Sequence, residues 1–332
     1  MANEWGELGW GPWPVDGRIP GTPPDEGRGL PRTLRPVSGE GVVQRPVFDP
    51  ALKHYPHAMR AGDPEFADRE TAARWYAARA VAFDRVLSAI AGSSYAGHLM
   101  LRGSVLLSAW FGARARPPGD LDFVVVPRSW KLEDGRTGRM FDEVADLAEE
   151  ASRQDGPGSV RFSASGAVSD EIWTYDRVPG RRLVLPWRAE GLPAGTVQLD
   201  FVFGEPLPLP PEPAEIPRPG GGDPLVLLAA TPELSLAWKL MWLLSDMYPQ
   251  AKDLYDAILL AEVAEPDVRM LREMCVAGDP YFERNPPTLE ALAAAFREVD
   301  RDEFRKEHPA FSPSLDAGAE RLLARLAAPF AG

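Results

Sequence analysis

Two aspartates separated by one residue, Asp120 and Asp122, stand at the start of an apolar segment that runs to Val126. Residues i and i+2 of a β-strand point to the same side, so a strand in this segment would bring both carboxylates together. Carboxylates at that distance repel each other unless a cation lies between them. Hard divalent ions, above all Mg²⁺, suit a carboxylate cluster that lacks His and Cys. The pair therefore predicts a magnesium site.

An Asp-x-Asp pair is a weak signal when it stands alone. Asp300 and Asp302 form a second pair in a polar, helical context that has no strand. Two acids that are merely solvated on a surface strand are the alternative interpretation of Asp120 and Asp122. The prediction of a metal site therefore depends on the motifs that accompany the pair.

Asp200 is a lone charge inside a second strand-like segment, residues 197–202. Burial of an unpaired carboxylate costs several kcal/mol, so Asp200 is expected to have a partner. If this strand lies beside the strand at 121–126, all three acids belong to one metal cluster.

A Gly-Ser pair, Gly103-Ser104, lies between a short apolar run at 98–101 and a helical stretch that passes through Trp110. Backbone N–H groups at a helix N-terminus, together with the Ser104 hydroxyl, can hold a phosphate. Three arginines flank this position: Arg102, Arg114 and Arg116. They would either steer an anionic substrate or balance the nearby acids.

This set of residues fits two-metal phosphoryl transfer. Asp120 and Asp122 would bridge two Mg²⁺ ions, one on the triphosphate of an NTP and one lowering the pKa of an acceptor hydroxyl. Asp200 would ligate the second ion or take the proton. Gly103 and Ser104 would cradle the β- and γ-phosphates, and pyrophosphate would leave.

The order of these motifs, Gly-Ser, helix, Asp-x-Asp and a later strand Asp, resembles the polymerase β-like nucleotidyltransferase superfamily. Residues 236–245, LAWKLMWLLS, and 251–260, AKDLYDAILL, resemble the helix pair of the AbiEii/AbiGii nucleotidyltransferase toxins of bacterial type IV toxin–antitoxin systems. The resemblance covers the region from residue 70 to residue 265.

The resemblance implies that Lys239 contacts the nucleotide phosphates and that Asp253 completes the site, with Asp256 as a further candidate of the same motif. From the residues alone, a lysine that snorkels from an apolar helix face would also explain Lys239. Asp253 and Asp256 are equally a solvated helix start. The resemblance also implies transfer of NMP to RNA such as tRNA, and an antitoxin encoded nearby.

The chain departs from the family pattern in three ways. Arg102 precedes Gly103 where many members have glycine, the interval from Asp122 to Asp200 is long, and a proline-rich leader has no counterpart. The last two leave the acceptor open. A small-molecule nucleotidyltransferase of the aminoglycoside type is the first alternative, and a non-catalytic nucleotide-binding protein of the same fold is the second.

The elements that position these residues follow from periodicity and turn signals. Asp63-Pro64 predicts the start of a long amphipathic helix, and Pro179-Gly180 predicts a turn between two strands. The predicted strands after Asp122 are 159–165, 171–176, 182–187 and 196–203. The predicted C-terminal helices are 232–245, 251–262, 266–276, 288–298 and 316–328. The fold class is α+β: a polymerase β-like nucleotidyltransferase mixed sheet with flanking helices, followed by an all-helical C-terminal domain.

Proline marks the predicted domain boundaries. Of 35 prolines, 11 lie in residues 1–64, which predicts a poorly ordered or draped leader. A second Pro/Gly cluster predicts a linker over 206–224. The catalytic domain is then 65–205, and a helical domain over 225–332 completes the active site between the two.

The net charge is −13, from 36 Lys and Arg against 49 Asp and Glu. This argues against a protein that clamps nucleic acid non-specifically, and it suits a cationic acceptor such as an aminoglycoside. One cysteine, Cys275, and four histidines match no zinc template and no disulfide framework. No apolar segment reaches the roughly 18 residues of a membrane span, so the sequence predicts a cytoplasmic protein without a membrane partner.

Overall fold

The structure, a computed structural model, describes residues 29–37, 39–153, 158–174 and 178–331. Most of this chain falls into two compact units. Of the described residues, the strand-rich unit contains those within 29–99, 119–204 and 215–227. The helical unit contains those within 100–118, 205–214 and 228–331.

Strands and helices together give the α+β class that the sequence predicts. The strands are β1 Val42–Val43, β2 Pro46–Phe48, β3 Met59–Ala61, β4 Glu65–Phe66, β5 Leu99–Arg102, β6 Leu121–Val125, β7 Arg161–Phe162, β8 Val168–Thr174, β9 Val178–Arg188, β10 Gly195–Val202, β11 Glu212–Ile216 and β12 Leu225–Ala229. The α-helices are α1 Arg69–Ala91, α2 Ser104–Phe111, α3 Gly135–Arg153, α4 Pro232–Ser245, α5 Ala251–Leu260, α6 Val268–Gly278, α7 Tyr281–Arg284, α8 Leu289–Glu298, α9 Arg301–Glu307 and α10 Leu315–Ala331.

The sheet of the strand-rich unit is mixed. β6 and β10 are parallel neighbours, and β9 pairs with β10 in antiparallel register. β7 and β8 both pair antiparallel with the free side of β9. Alternation along β6 and β10 sends acids to one face of the sheet and aromatic residues to the other.

The aromatic face of this sheet forms the core of the strand-rich unit. Phe123 of β6 and Phe201 of β10 stack with ring centroids 5.6 Å apart. Phe141 of α3 lies 5.1 Å from Phe201, measured between centroids. α1 packs on α3 and on β10, so both helices cover the apolar side. The opposite face is left for the charged residues.

The long helix α1 begins later than the sequence predicts. The prediction that it starts at Asp63-Pro64 is wrong, because Glu65 and Phe66 form β4, which pairs with β1. The helix begins at Arg69, and Asp68 is the N-cap, since its carboxylate accepts from the N–H groups of Glu70 and Thr71.

The predicted turn at Pro179-Gly180 is also wrong. Both residues lie inside β9, and Gly180 is the register partner of Val202. A Cβ at Gly180 would lie 2.6 Å from the carbonyl oxygen of Phe201. Glycine is therefore required here because the two strands approach closely, and it does not reverse the chain.

Part of the segment that the sequence groups with the leader forms strands. β1 pairs with β4, and β2 pairs with β3. Leu52 and Ala58 pack with Ile172 of β8 in a small apolar cluster. The first 28 residues of the predicted leader lie outside the described residues. The predicted domain boundaries stay predictions.

Helices dominate the second unit from Pro232 onward. Thr231 caps α4, since its Oγ1 accepts from the N–H of Leu234, and Pro232 occupies the first turn. α4 packs against α5, α6 and α8, and α10 packs against α5 and α8. β12 and part of the predicted linker, β11, are strands. Among the described residues, none of the helices has both the length and the apolar character needed to span a membrane.

Candidate active site

Three carboxylates meet on the polar face of the strand-rich unit. Asp122 of β6 and Asp200 of β10 are register partners in the parallel pair, and Asp120 directly precedes β6. One carboxylate oxygen from each residue lies within 4.8 Å of the other two. The strand adjacency that the sequence analysis requires is therefore present.

Asp200 lies among apolar residues of its strand and has a buried partner, Arg182 of β9. Nε and Nη2 of Arg182 donate to the two oxygens of Asp200, both at 2.8 Å. Burial raises the pKa of Asp200 above its ordinary value, with Arg182 acting against the rise and the charge of Asp120 adding to it.

A row of charged residues crosses four strands at one level of the sheet. Asp170 of β8 is the register partner of Arg182, Arg182 is that of Asp200, and Asp200 is that of Asp122. Opposite charges alternate over the first three positions, whereas Asp122 and Asp200 are like charges side by side. A cation would therefore be stabilised most at the acidic end of the row.

The three carboxylates fit a divalent metal. Asp120 and Asp122 are half-buried and Asp200 is buried, so the cluster has one side toward solvent and one toward protein. Its donors are all carboxylate oxygens, which Mg²⁺ prefers over nitrogen and sulfur.

The Gly103-Ser104 pair occupies the strand-to-helix junction that the sequence predicts. Gly103 has φ 80° and ψ −152°, a conformation that is open to glycine and strained for other residues. No side chain caps α2, and Ser104 begins it. The Ser104 hydroxyl is buried and has no hydrogen-bond partner among the described residues.

Lys239 of α4 is buried and ion-paired. Its Nζ lies 2.7 Å from Oδ1 of Asp253 and 2.9 Å from Oδ2 of Asp256, and 4.6 Å from the centroid of the Trp242 ring. Burial acts to lower the pKa of Lys239, but Asp253 and Asp256 outweigh it and raise the pKa above its ordinary value. The ammonium is therefore held charged at a fixed place.

Arg116 completes this cluster of buried charges. Its Nε and Nη2 donate to the two oxygens of Asp256 at 3.0 Å and 2.6 Å. Burial acts to raise the pKa of Asp256, but Arg116 and Lys239 lower it to about 2. Two cations and two carboxylates thus balance inside the helical unit.

The other two arginines that the sequence analysis names also have acidic partners. Arg102 is buried, donates to Glu205 at 3.0 Å, and lies over the rings of Trp238 and Trp242. Arg114 is exposed and binds both carboxylate oxygens of Glu262, at 2.6 Å and 2.7 Å. All three arginines therefore hold or balance acids of this chain.

One protein family matches most of the chain. The family described as "Nucleotidyl transferase AbiEii toxin, Type IV TA system" matches residues 85–327. The chain belongs to the AbiEii nucleotidyltransferase toxin family. No curated protein matches the sequence significantly. Among solved structures, the chain is similar to MenT4, a nucleotidyltransferase toxin from Mycobacterium tuberculosis H37Rv, with 21% identity, a TM-score of 0.39, and coverage of 74% of this chain and 86% of that chain.

The AbiEii match contains the acidic triad, the Gly-Ser junction and the Lys239 cluster, but it begins inside α1. Residues N-terminal to α1 therefore lie outside the family region. Asp49 is one of them, and its Oδ2 accepts from Nη1 of Arg182 at 2.7 Å.

Sequence reasoning about this AbiEii-family chain missed Arg182, Asp49 and Glu205. Arg182 is at the start of a predicted strand that neighbours Asp200 in the chain, and a search for the partner of Asp200 in adjacent strands could have found it. Asp49 and Glu205 lie in proline-rich stretches without periodicity, so no local signal identifies them.

Proposed function

We propose that this AbiEii-family protein is a Mg²⁺-dependent nucleotidyltransferase that transfers NMP from an NTP to an acceptor hydroxyl. The observation that carries the proposal is the group of three carboxylates, Asp120, Asp122 and Asp200, with oxygens within 4.8 Å of one another. In the reaction the acceptor hydroxyl oxygen attacks the α-phosphorus of the NTP and forms a new P–O bond. The bond from the α-phosphorus to the oxygen that bridges it to the β-phosphate breaks, pyrophosphate leaves, and the hydroxyl proton goes to solvent.

The triad would hold two Mg²⁺ ions, which would activate the acceptor hydroxyl and neutralise charge on the triphosphate. Asp120 and Asp122 would bind both ions from their position at the start of β6. Asp200 would bind from β10, with its carboxylate plane set by the two hydrogen bonds from Arg182.

Gly103 and Ser104 would bind the phosphates of the NTP. The uncapped start of α2 offers backbone N–H groups, and the Ser104 hydroxyl offers a donor that the described protein does not otherwise use. A buried hydroxyl without a partner costs stability, so its presence favours a ligand that satisfies it.

Lys239 would supply a fixed positive charge for the nucleotide phosphates. Asp253 would act as a positioning residue, because it contacts Lys239 at 2.7 Å and orients the ammonium. Arg116 would act in the same way through Asp256, and Arg102 would support the Gly-Ser junction that directly follows it in the chain.

The proposed acceptor is RNA, such as tRNA, and the proposed physiological partner is an antitoxin encoded nearby in a type IV system. Membership of the AbiEii family supports both. The net charge of −13 favours a second candidate, a cationic small molecule of the aminoglycoside kind. We infer a cytoplasmic site of action from the nucleotide and RNA substrates.

Incubation of the protein with Mg²⁺ and each α-³²P-labelled NTP, in separate reactions with total cellular RNA and with an aminoglycoside, tests the proposal. Label in tRNA, with release of pyrophosphate, is the expected result. Label only on the aminoglycoside selects the second candidate. Nucleotide binding without label in either acceptor would identify a non-catalytic nucleotide-binding protein.

The neighbouring reading frame provides a separate test of the biological role. Expression of this chain alone should arrest bacterial growth, and co-expression of the adjacent gene product should relieve the arrest. Asp122→Asn serves as the inactive control at the same expression level. Equal arrest by the wild type and by this variant would contradict the link between toxicity and transfer.

A further inference from the structure

Asp49 belongs to the segment before α1, yet it is tied to the acidic triad through a single residue. Its Oδ1 accepts from the N–H of Ala51, and its Oδ2 accepts from Nη1 of Arg182 at 2.7 Å. Asp49 and Arg182 are both more than nine-tenths buried. A carboxylate from outside the family region therefore accepts a hydrogen bond from the guanidinium that binds Asp200.

Arg182 divides its hydrogen bonds between two carboxylates. Nε and Nη2 serve Asp200, and Nη1 serves Asp49. The planar guanidinium has a fixed donor geometry, so the direction of the Asp49 contact sets the plane in which Arg182 meets Asp200. With Asp49 removed, the guanidinium keeps its two hydrogen bonds to Asp200 but loses the contact with Asp49 that helps to fix its plane, so the Asp200 carboxylate is held less rigidly.

The charge balance leads to the same conclusion. Asp49 and Asp200 share the single positive charge of Arg182, so Asp49 draws part of that charge away from Asp200. Without Asp49, the charge of Arg182 acts more strongly on Asp200. The carboxylate of Asp200 would then attract a divalent cation less, and the affinity for the cation would fall.

We propose that Asp49 is a positioning residue for the metal-binding carboxylate Asp200 and acts through Arg182. This inference rests on the proposed metal-dependent transfer. It makes the segment before α1 a working part of the active site, although the AbiEii family match does not extend to it.

A purely structural role for Asp49 is the competing explanation. The same segment is anchored independently at other points. Thr33 donates to Asp170 through both its N–H and its hydroxyl at 2.7 Å, and Tyr55 donates to the same carboxylate at 3.0 Å. Asp63 binds Arg79 at 2.6 Å. An acid needed only as an anchor would not have to contact the one guanidinium that holds Asp200.

The test measures Mn²⁺ binding to the full-length protein by electron paramagnetic resonance, together with the Mg²⁺ dependence of transfer and the melting temperature. The variants are Asp49→Asn, which removes the charge, and Asp49→Glu, which keeps it. Asp63→Asn is the matched control, because it breaks an acid–arginine pair of the same segment away from the triad.

The expected result is Mn²⁺ binding roughly tenfold weaker in Asp49→Asn, the lower end of the range for lost partners of metal ligands, because Asp49 acts through such a partner, Arg182, and does not contact Asp200 itself. The Mg²⁺ concentration for half-maximal transfer should rise with it. Asp49→Glu should recover most of the affinity. Asp63→Asn should lower the melting temperature and leave Mn²⁺ binding at the wild-type value.

The outcomes separate the two proposals. A wild-type protein that does not bind Mn²⁺ would refute the metal site itself. Wild-type binding with an unchanged affinity in Asp49→Asn would overturn the role of Asp49 alone, as would an equal loss in Asp63→Asn. If Asp49→Asn does not fold, Arg182→Lys tests the contact through which Asp49 acts, since lysine keeps the charge and cannot hold two carboxylates in one plane. Wild-type Mn²⁺ binding in Arg182→Lys would overturn the proposal.

Discussion

Asp122 and Asp200 are register partners on neighbouring parallel strands, although a helix and three further strands separate them in the chain. The parallel pairing places two like charges side by side on the polar face of the sheet. Asp120 joins them within 4.8 Å. A protein that keeps three acids this close gains stability when a divalent cation binds between them.

Asp122→Asn should abolish nucleotidyl transfer and metal binding while the fold persists. Loss of one of three like charges relieves repulsion within the triad, so the variant should remain folded without metal. Asp302→Asn is the control, because Asp302 belongs to the other Asp-x-Asp pair and is exposed on α9. Wild-type transfer activity in Asp122→Asn, as expected for Asp302→Asn, would refute the metal assignment.

Ser104→Ala should weaken NTP binding and leave stability equal or higher. The buried hydroxyl has no partner in the described protein, so its removal relieves a cost of about 1 kcal/mol. Loss of one hydrogen bond to a charged phosphate should raise the dissociation constant by roughly tenfold. Titration calorimetry with a non-hydrolysable NTP measures the dissociation constant, and urea unfolding measures the stability. Ser104→Thr should retain NTP binding. Unchanged affinity in Ser104→Ala would exclude the hydroxyl from the site.

Gly103→Ala should cost both stability and nucleotide binding. Its φ of 80° and ψ of −152° would strain an alanine by roughly 1–3 kcal/mol. Gly112, at the other end of α2, has φ 55° and open space around it, so Gly112→Ala is a matched control. Urea unfolding should show a similar loss in both variants. Only Gly103→Ala should raise KM for the NTP, and a parallel rise in Gly112→Ala would point to general distortion of the helix.

Lys239→Met should remove transfer and destabilise the protein by about 3–5 kcal/mol, because it leaves Asp253 without its cation in a buried place. The double variant Lys239→Met with Asp253→Leu should recover much of that free energy. If Lys239 binds phosphate, the double variant stays inactive. Recovery of activity together with stability would show that Lys239 is a packing residue only.

Asp256 should contribute to stability in a defined pH window. Its pKa is lowered from 3.8 to about 2, so the contribution is present above pH 4 and is lost as the pH falls toward 2. A shift of this size corresponds to about 2 kcal/mol. Unfolding free energies measured from pH 7 down to pH 2 should fall more steeply for the wild type than for Asp256→Asn.

Local patterns were sufficient for most helices after residue 232 and for the two strands that carry the acids. The cap and first proline of α4, at Thr231 and Pro232, are where the sequence predicts them. The helix periodicity after residue 232 and the glycine before Ser104 are signals that depend on near neighbours in the chain. The alternation in 121–125 and 195–202 likewise separates an acidic face from an apolar one.

Local patterns failed where long-range pairing decides the conformation. Pro179-Gly180 has the composition of a turn, but pairing with β10 extends it as a strand. Asp63-Pro64 has the composition of a helix start, but pairing of β4 with β1 moves the start to Arg69. In both cases hydrogen bonds to a distant segment outweigh local preference.

The sequence by itself determined the chemistry available to this protein: acids that suit Mg²⁺, a Gly-Ser junction that suits phosphate, and membership of the AbiEii family. Only the tertiary structure decided which charges are paired. Arg182 with Asp200 and Asp49, and Lys239 with Asp253 and Asp256, are partnerships between segments far apart in the chain. Such pairs form because a buried charge is stable only beside an opposite charge, which the fold brings from a distant segment. No local sequence pattern identifies these pairs.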